Sequence, residues 1–228
     1  MNQQSTSLIQ LSHISKTFPL AAGSFQALKD IDLEISKGQL VAITGKSGSG
    51  KSTLLNIMSG IDKPTAGNVL INGIRVDKLT ESELAAWRGK NIGVVFQFFQ
   101  LLPTLTILEN VMLPMDFCNS YPRKERRDRA LALLSLVDIK DQASKLPSAL
   151  SGGQQQRAAI ARALANDPPV LIADEPTGNL DSHTGAAIME LFAGLVKAGK
   201  TVIIVTHEKD FAGYFGSTVS LLDGAIVH

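Results

Sequence analysis

The stretch LVAITGKSGSGKSTLLNIM, Leu40 to Met58, decides how the rest of the chain is read. Leu40 to Thr44 is a continuous apolar run of core-strand length, the pattern of a strand buried on both faces. It runs straight into glycines and then into KSTLLNIM, whose straight-chain residues favour a helix. A strand, a tight glycine loop and a helix in that order make the unit that carries a phosphate cradle. Gly45 to Ser52 matches the pattern G-x-x-x-x-G-K-S within that context. An ordinary glycine turn before a helix would satisfy the backbone alone, but it gives no reason for a Lys-Ser pair at the helix start. The cradle comprises Gly45, Lys46, Ser47, Gly48, Ser49, Gly50, Lys51, Ser52 and Thr53. Its amides wrap a polyphosphate at the positive helix end, Lys51 reaches the terminal phosphates, and the Ser52 hydroxyl can ligate Mg²⁺.

Buried runs like Leu40 to Thr44 recur at Ile92 to Phe96, Val170 to Ala173 and Thr201 to Val205. With helical stretches between them they predict an α/β fold with a mainly parallel sheet. Leu8 to Phe18 and Ala27 to Ile35 alternate with period 2 and predict an antiparallel layer. Between Gln97 and Asp167 the pattern turns helical: Thr106 and Glu109 form a capping box, and Arg123 to Val137 is charged, then apolar at helical spacing. LLDGAIV, Leu221 to Val227, is a hairpin signal around Asp-Gly. One domain over 1–228 is expected, with a core and antiparallel layer from about 7–96 and 168–228 and a helical subdomain inserted at 97–167.

The chain has 228 residues, 22 Lys plus Arg and 21 Asp plus Glu, so no global field draws it to nucleic acid or an anionic membrane. The basic run RKERRDR, Arg123 to Arg129, is interrupted by acids and reads as a solvated helix face. Cys118 is the single cysteine, which excludes an internal disulfide and fits a reducing compartment. The start MNQQSTS is polar and no apolar run approaches the roughly 20 residues that span a bilayer. A cytoplasmic protein is expected, with any membrane role supplied by a partner.

Asp174 and Glu175 end the run VLIADE, at the sheet edge where α/β proteins bind ligands. Strand-end acids often only solvate a turn. Beside a phosphate cradle, Asp174 is suited to hold Mg²⁺ and Glu175 to polarise the water that attacks the terminal phosphorus. LSGGQQQR, Leu150 to Arg157, is a second candidate anion site: Ser151 can N-cap a helix opening at Gly152, and bare amides there attract a phosphate.

The cradle, LSGGQ, VLIADE, Gln97 after IGVVF and His207 after TVIIV, in that order along nearly the whole chain, resemble an ABC-transporter ATPase. The resemblance implies a P-loop NTPase core of the RecA type and ATP with Mg²⁺ as substrate and metal. It implies catalytic roles for Glu175, His207, Gln97 and Lys51, with Ser52, Gln97 and Asp174 around the metal. It also makes Phe18 the ring stacked on adenine, and Asp181 in GNLD part of the loop facing the opposite site. Since the chain has one Lys51 and one Asp174–Glu175 pair, the resemblance implies a head-to-tail homodimer in which Ser151, Gly152, Gly153 and Gln154 of each subunit close over ATP held by the other. It further implies a transmembrane permease docking near Gln97 to Pro114, where Phe98, Phe99, Leu101 and Leu102 either present a partner site or fill the helical subdomain's own core, and hence a place on the inner face of the cell membrane. SGSGKSTLLNIMSGIDKPTAG, FQFFQLLPTLTILENVMLP and ADEPTGNLD look most like the lipoprotein-release and macrolide-export branch, LolD and MacB, whose permeases resemble FtsX. A soluble ATPase of this type acting on nucleic acid or ribosomes is the alternative, but it would carry a coiled coil or a second cassette. A GTPase would need N-K-x-D, which is missing. A non-catalytic scaffold would be expected to lack Glu175, Gln97 or His207, and a small-molecule kinase has no use for LSGGQ.

Overall fold

A computed structural model describes residues 7–21, 23–208 and 210–227. The long alternating segments form β1 (Ser7–Leu20) and β2 (Gly23–Ser36), paired antiparallel with register shifts along their length. They join β4 (Ala66–Ile71) and β5 (Ile74–Arg75) in a four-stranded antiparallel sheet of order β2-β1-β4-β5. The turn between β4 and β5 is Asn72-Gly73 at φ 50° and 77°, the paired left-handed geometry that tight hairpins favour.

The second sheet has six strands in the order β10-β9-β3-β8-β7-β6. It comprises β3 (Leu40–Gly45), β6 (Ile92–Val95), β7 (Val170–Asp174), β8 (Thr201–Val205), β9 (Ser217–Leu222) and β10 (Ala225–Val227). All neighbours are parallel except the β9–β10 hairpin, whose turn is Asp223-Gly224. The apolar runs are continuous because these strands are covered on both sides. In β8, Ile203 and Val205 pack with β1, β2 and α1 (Lys51–Met58), while Val202 and Ile204 pack with the helices of the opposite face.

Those helices are α3 (Ile107–Cys118), α4 (Arg123–Leu136), α5 (Gly152–Ala163) and α6 (Ser182–Lys197); α2 (Glu81–Asn91) lies on the other side, where Leu84 and Trp87 join the core around α1. Sequence fixes the starts of α2, α3 and α5 by full capping boxes, Thr80 with Glu83, Thr106 with Glu109 and Ser151 with Gln154. The basic run departs from a solvated face at Arg126, which is buried against the Asp116 carboxylate, Asn119 Oδ1 and the Tyr121 carbonyl. A buried guanidinium needs that many acceptors to offset its lost hydration.

Candidate functional site

The loop after β3 is shaped by backbone demands that only glycine meets. Gly45 has φ 151°, and a Cβ there would lie 2.4 Å from the Leu221 carbonyl oxygen. Gly50 has φ 102°, and its Cβ would lie 2.7 Å from the Ala27 carbonyl oxygen, so the antiparallel layer presses directly on the loop. Gly50 also precedes α1 without offering a side-chain cap, leaving the helix end with its amides unserved by side chains. Lys51 is buried and its Nζ donates to the carbonyls of Gly45 and Lys46, both at 2.9 Å. Ser49 Oγ is buried beneath the loop with no partner among the described residues. This loop forms one wall of a cavity of about 610 Å³.

Across the cavity stand residues from three other segments. Asp174 ends β7 and lines the same cavity as Ser52. Burial first, and then the charge of Glu175, raise its carboxyl above the usual value, against the pull of Lys51 and Ser52. Glu175 follows at φ 44°, a left-handed conformation costing a non-glycine residue about 1 kcal/mol or more. Its amide donates to the Val205 carbonyl at 2.9 Å, which locks the turn to the end of β8. Gln97 Nε2 donates to Glu175 Oε2 and His207 Nδ1 donates to Glu175 Oε1, each at 3.0 Å. Asn179 Nδ2 adds a bond to the Gln97 carbonyl at 3.1 Å. The result is one carboxylate oriented through both oxygens beside a buried lysine, an arrangement able to take a proton from water poised over the cradle.

The same cavity is lined by Lys46, Ser47, Gly48 and Thr53 as well as Gly45, Gly50, Lys51, Ser52, Gln97, Asp174, Glu175 and His207. Phe18 is not in its wall. Its aromatic wall is Phe25, a residue that belongs to no motif; Phe18 is its cross-strand partner, with Lys16 Nζ 5.0 Å from its ring centre. The alternation of β2 puts Phe25 and Ala27 on one face, but which face meets the loop depends on bulges in the β1–β2 ladder.

Ser151, Gly152, Gly153 and Gln154 lie outside this cavity at the start of α5, where Ser151 is exposed and the other three are half-buried. Ser151 Oγ accepts from the Gln154 amide at 3.3 Å and Gln154 Oε1 accepts from the Ser151 amide at 3.0 Å. A Cβ on Gly153 would meet Thr184 Cγ2 at 2.6 Å, so α5 and α6 start in close contact. Asp181 caps α6 through the Thr184 amide and hydroxyl, and those bonds hold its carboxyl below the usual value.

Between the two lies the segment after Gln97. Phe99 and Gln100 are left-handed at φ 59° and 53° and are held by Arg162 of α5, which donates to both their carbonyls, to Phe99 at 2.7 Å. Phe99 and Leu101 pack on the core, whereas Phe98 is 68% and Leu102 44% exposed. The expected apolar cluster is thereby divided. Nearby Phe117 is 80% exposed, beside a groove lined with Ile61, Pro114 and Arg162. Among the described residues no helix is long and apolar enough to cross a membrane.

The chain is similar to known proteins over nearly its whole length. The family described as ABC transporter matches residues 28–178. The chain is 49% identical over 220 residues to the lipoprotein-releasing system ATP-binding protein LolD of Bacteroides thetaiotaomicron, covering 96% of this chain and 99% of that protein. It is 47% identical to the uncharacterized ABC transporter ATP-binding protein MJ0796 of Methanocaldococcus jannaschii, over 96% of this chain and 95% of that protein. The dimeric structure of MJ0796 in a post-hydrolysis state with ADP and Pi superposes with a TM-score of 0.90, at 46% identity over 96% of this chain and 97% of that one.

Proposed function

This chain belongs to the ABC transporter family as an ATP-hydrolysing, nucleotide-binding subunit, and from that premise we propose that it drives a LolD-type permease through ATP-dependent closure of a homodimer. The observation that carries the reading is the Gln97–Glu175–His207 constellation facing Lys51 and Ser52 across one cavity. Glu175 takes the proton of the attacking water, while Gln97 and His207 fix its carboxylate. Lys51 and the loop amides from Gly45 to Thr53 hold the phosphates. Phe25 forms the aromatic end of the site, where the base stacks, with Phe18 beside it as its cross-strand partner.

The donor set fits Mg²⁺: the Ser52 hydroxyl, the Asp174 carboxylate and the Gln97 amide are hard oxygen donors, and Asp174 is destabilised as an anion until a cation offsets its burial. Bound there, the ion would neutralise charge on the phosphate oxygens.

The start of α5 lies outside the cavity with Ser151 exposed, which supports its use by a second subunit, as does the dimeric state of MJ0796. Ser151, Gly152, Gly153 and Gln154 would then close over the partner's nucleotide, with Asp181 at the same interface. The exposed rings of Phe98 and Phe117 and the side chain of Leu102 suit a permease related to FtsX or MacB, seated on a helical subdomain at 97–167. The subunit would then sit peripherally at the inner face of the cell membrane and serve lipoprotein release or export.

Light scattering of Glu175→Gln with ATP and Mg²⁺ tests this. A trapped dimer that is lost in the double variant with Ser151→Arg supports the composite site. A persistent monomer that hydrolyses ATP like wild type overturns it. Copurification with an FtsX-like permease, lost in Phe98→Asp, tests the branch.

A further inference from the structure

We propose that Glu208 is a positioning residue for hydrolysis: its carboxylate, held by the Thr177 hydroxyl, fixes the His207 loop against the Glu175 turn. The proposal rests on the reading that Glu175 activates the attacking water.

The need for such a device follows from where β8 ends. Thr206 is still tied to the sheet, its amide donating to the Ile43 carbonyl at 3.1 Å. The next residue, His207, leaves the core, and its side chain is 63% exposed. An exposed imidazole joined to one carboxylate by one bond gains little from that bond, because water competes for both partners.

A second link lies beside the first. Thr177 Oγ1 donates to Glu208 Oε2 at 2.5 Å, a short bond to a charged acceptor. Thr177 is 3% exposed, so its hydroxyl is shielded from water and would be costly to leave unpaired. The post is also rigid: the Gly178 amide bonds the Glu175 carbonyl, and the Leu180 amide bonds the Thr177 carbonyl at 2.9 Å. On the other strand end, the Glu208 amide donates to Thr206 Oγ1 at 3.0 Å, so the carboxylate is anchored to the backbone that carries His207. Two rungs, His207–Glu175 and Glu208–Thr177, thus join the same two loops. Removing the lower rung leaves the upper one on a loop that also borders an open cavity of about 620 Å³ lined by Ala212 and Phe215, and among the described residues no other side-chain hydrogen bond joins the two loops.

Steady-state ATPase of the full chain, measured across ATP concentration, tests the idea with Glu208→Ala, Thr177→Val, Thr177→Ser, their double variant Thr177→Val with Glu208→Ala, and Glu175→Gln. Thr177→Val is isosteric and removes only the hydroxyl, so it carries the test even where Glu208→Ala fails to fold. We expect each of Thr177→Val and Glu208→Ala to lower kcat about tenfold, with KM for ATP changed by less than about twofold. The double variant should be no slower than the slower single one, and Thr177→Ser should recover most of what Thr177→Val loses. Wild-type kcat in Thr177→Val, a loss carried in KM, or additive losses in the double variant would overturn the clamp. Glu175→Gln separates the two readings. If it hydrolyses like wild type, the role of Glu175 falls; if it is inactive while Thr177→Val runs at full rate, only the clamp falls.

Discussion

Helices α1 and α5 both begin on glycine-rich turns, yet their first turns are finished in opposite ways. The start of α1 has Gly50 at φ 102°, no side-chain cap, a buried lysine and a cavity in front of it. The start of α5 has a complete capping box in which Ser151 and Gln154 serve each other's amides, and it faces solvent. Both ends carry the positive pole of a helix. Only the first is left unsatisfied by its own side chains and enclosed by groups that can do chemistry. On the proposed reading, the difference means that α1 holds an anion within one subunit, while α5 needs a surface brought to it from outside. Damage at the α1 side should remove chemistry; damage at α5 should remove only what depends on a partner.

The largest effect tests the chemistry at α1. Glu175→Gln should lower phosphate release by about 10²–10⁴-fold, the range for removing a positioned general base, while nucleotide binding persists. Quench-flow or coupled phosphate assays would show it, and a variant within tenfold of wild type would break the assignment of the oriented carboxylate as base. Next, Ser151→Arg places a bulky cation at the solvent-facing start of α5. Monomer binding of a fluorescent ATP analogue should stay near wild type while hydrolysis falls by about 10²-fold, as the loss of one preorganised donor site does. Ser151→Ala, by contrast, should cost about 1 kcal/mol of helix capping, read as a small fall in Tm. If Ser151→Arg abolishes binding by the monomer, the two helix starts are not independent and the comparison fails.

A subtler contrast concerns charge. The Asp174 carboxyl is raised by burial and by Glu175, so the folded protein holds that proton more tightly than the unfolded chain. Stability is therefore lost as pH rises from 3.8 through the raised value, and the cost persists at neutral pH. Asp174→Asn should raise the Tm of the nucleotide-free protein at pH 7 on the order of 2 °C, kept small because the open site screens the charge. The gain should vanish toward pH 3.8 and below, and the same variant should lose Mg²⁺-dependent hydrolysis. At α5, where the first turn carries no acidic residue, no such trade of stability for function is expected.

What could be read from the chain follows the same division. Strands buried on both faces announce themselves as apolar runs, and Leu40 to Thr44 and Thr201 to Val205 form strands at those positions. Local signals are also legible where chemistry is short-range: Ser151 caps α5, and Asp223-Gly224 turns the last hairpin. Asn72-Gly73 between β4 and β5 and Thr80 with Glu83 at α2 are signals of the same short-range kind. The remainder is not local. The Thr177–Glu208 bond spans 31 positions and the Arg162–Phe99 bond 63, and neither leaves a periodicity or spacing to find. Arg126 looked like one of several exposed cations, and only the fold supplies the three acceptors that bury it.

The smallest effect concerns the aromatic end of the site on the α1 side. Phe25 and Phe18 are direct partners in the β1–β2 ladder, so their side chains leave the same face of the sheet. Phe25 stands in the cavity wall, and Phe18 lies beside it under the Lys16 ammonium. A base stacked on Phe25 touches one face of one ring, an interaction worth about 0.5–1.5 kcal/mol beyond area. Phe25→Ala should therefore raise KM for ATP about three- to tenfold with kcat little changed, since the ring is remote from Glu175 in the chemistry. Phe18→Ala should do less if its ring serves mainly to back Phe25. The reverse order, with Phe18→Ala carrying the larger change in KM, would mean that the hairpin turns on binding to present Phe18. The α1 side would then be a site completed by its ligand, and its contrast with the start of α5 would be one of degree.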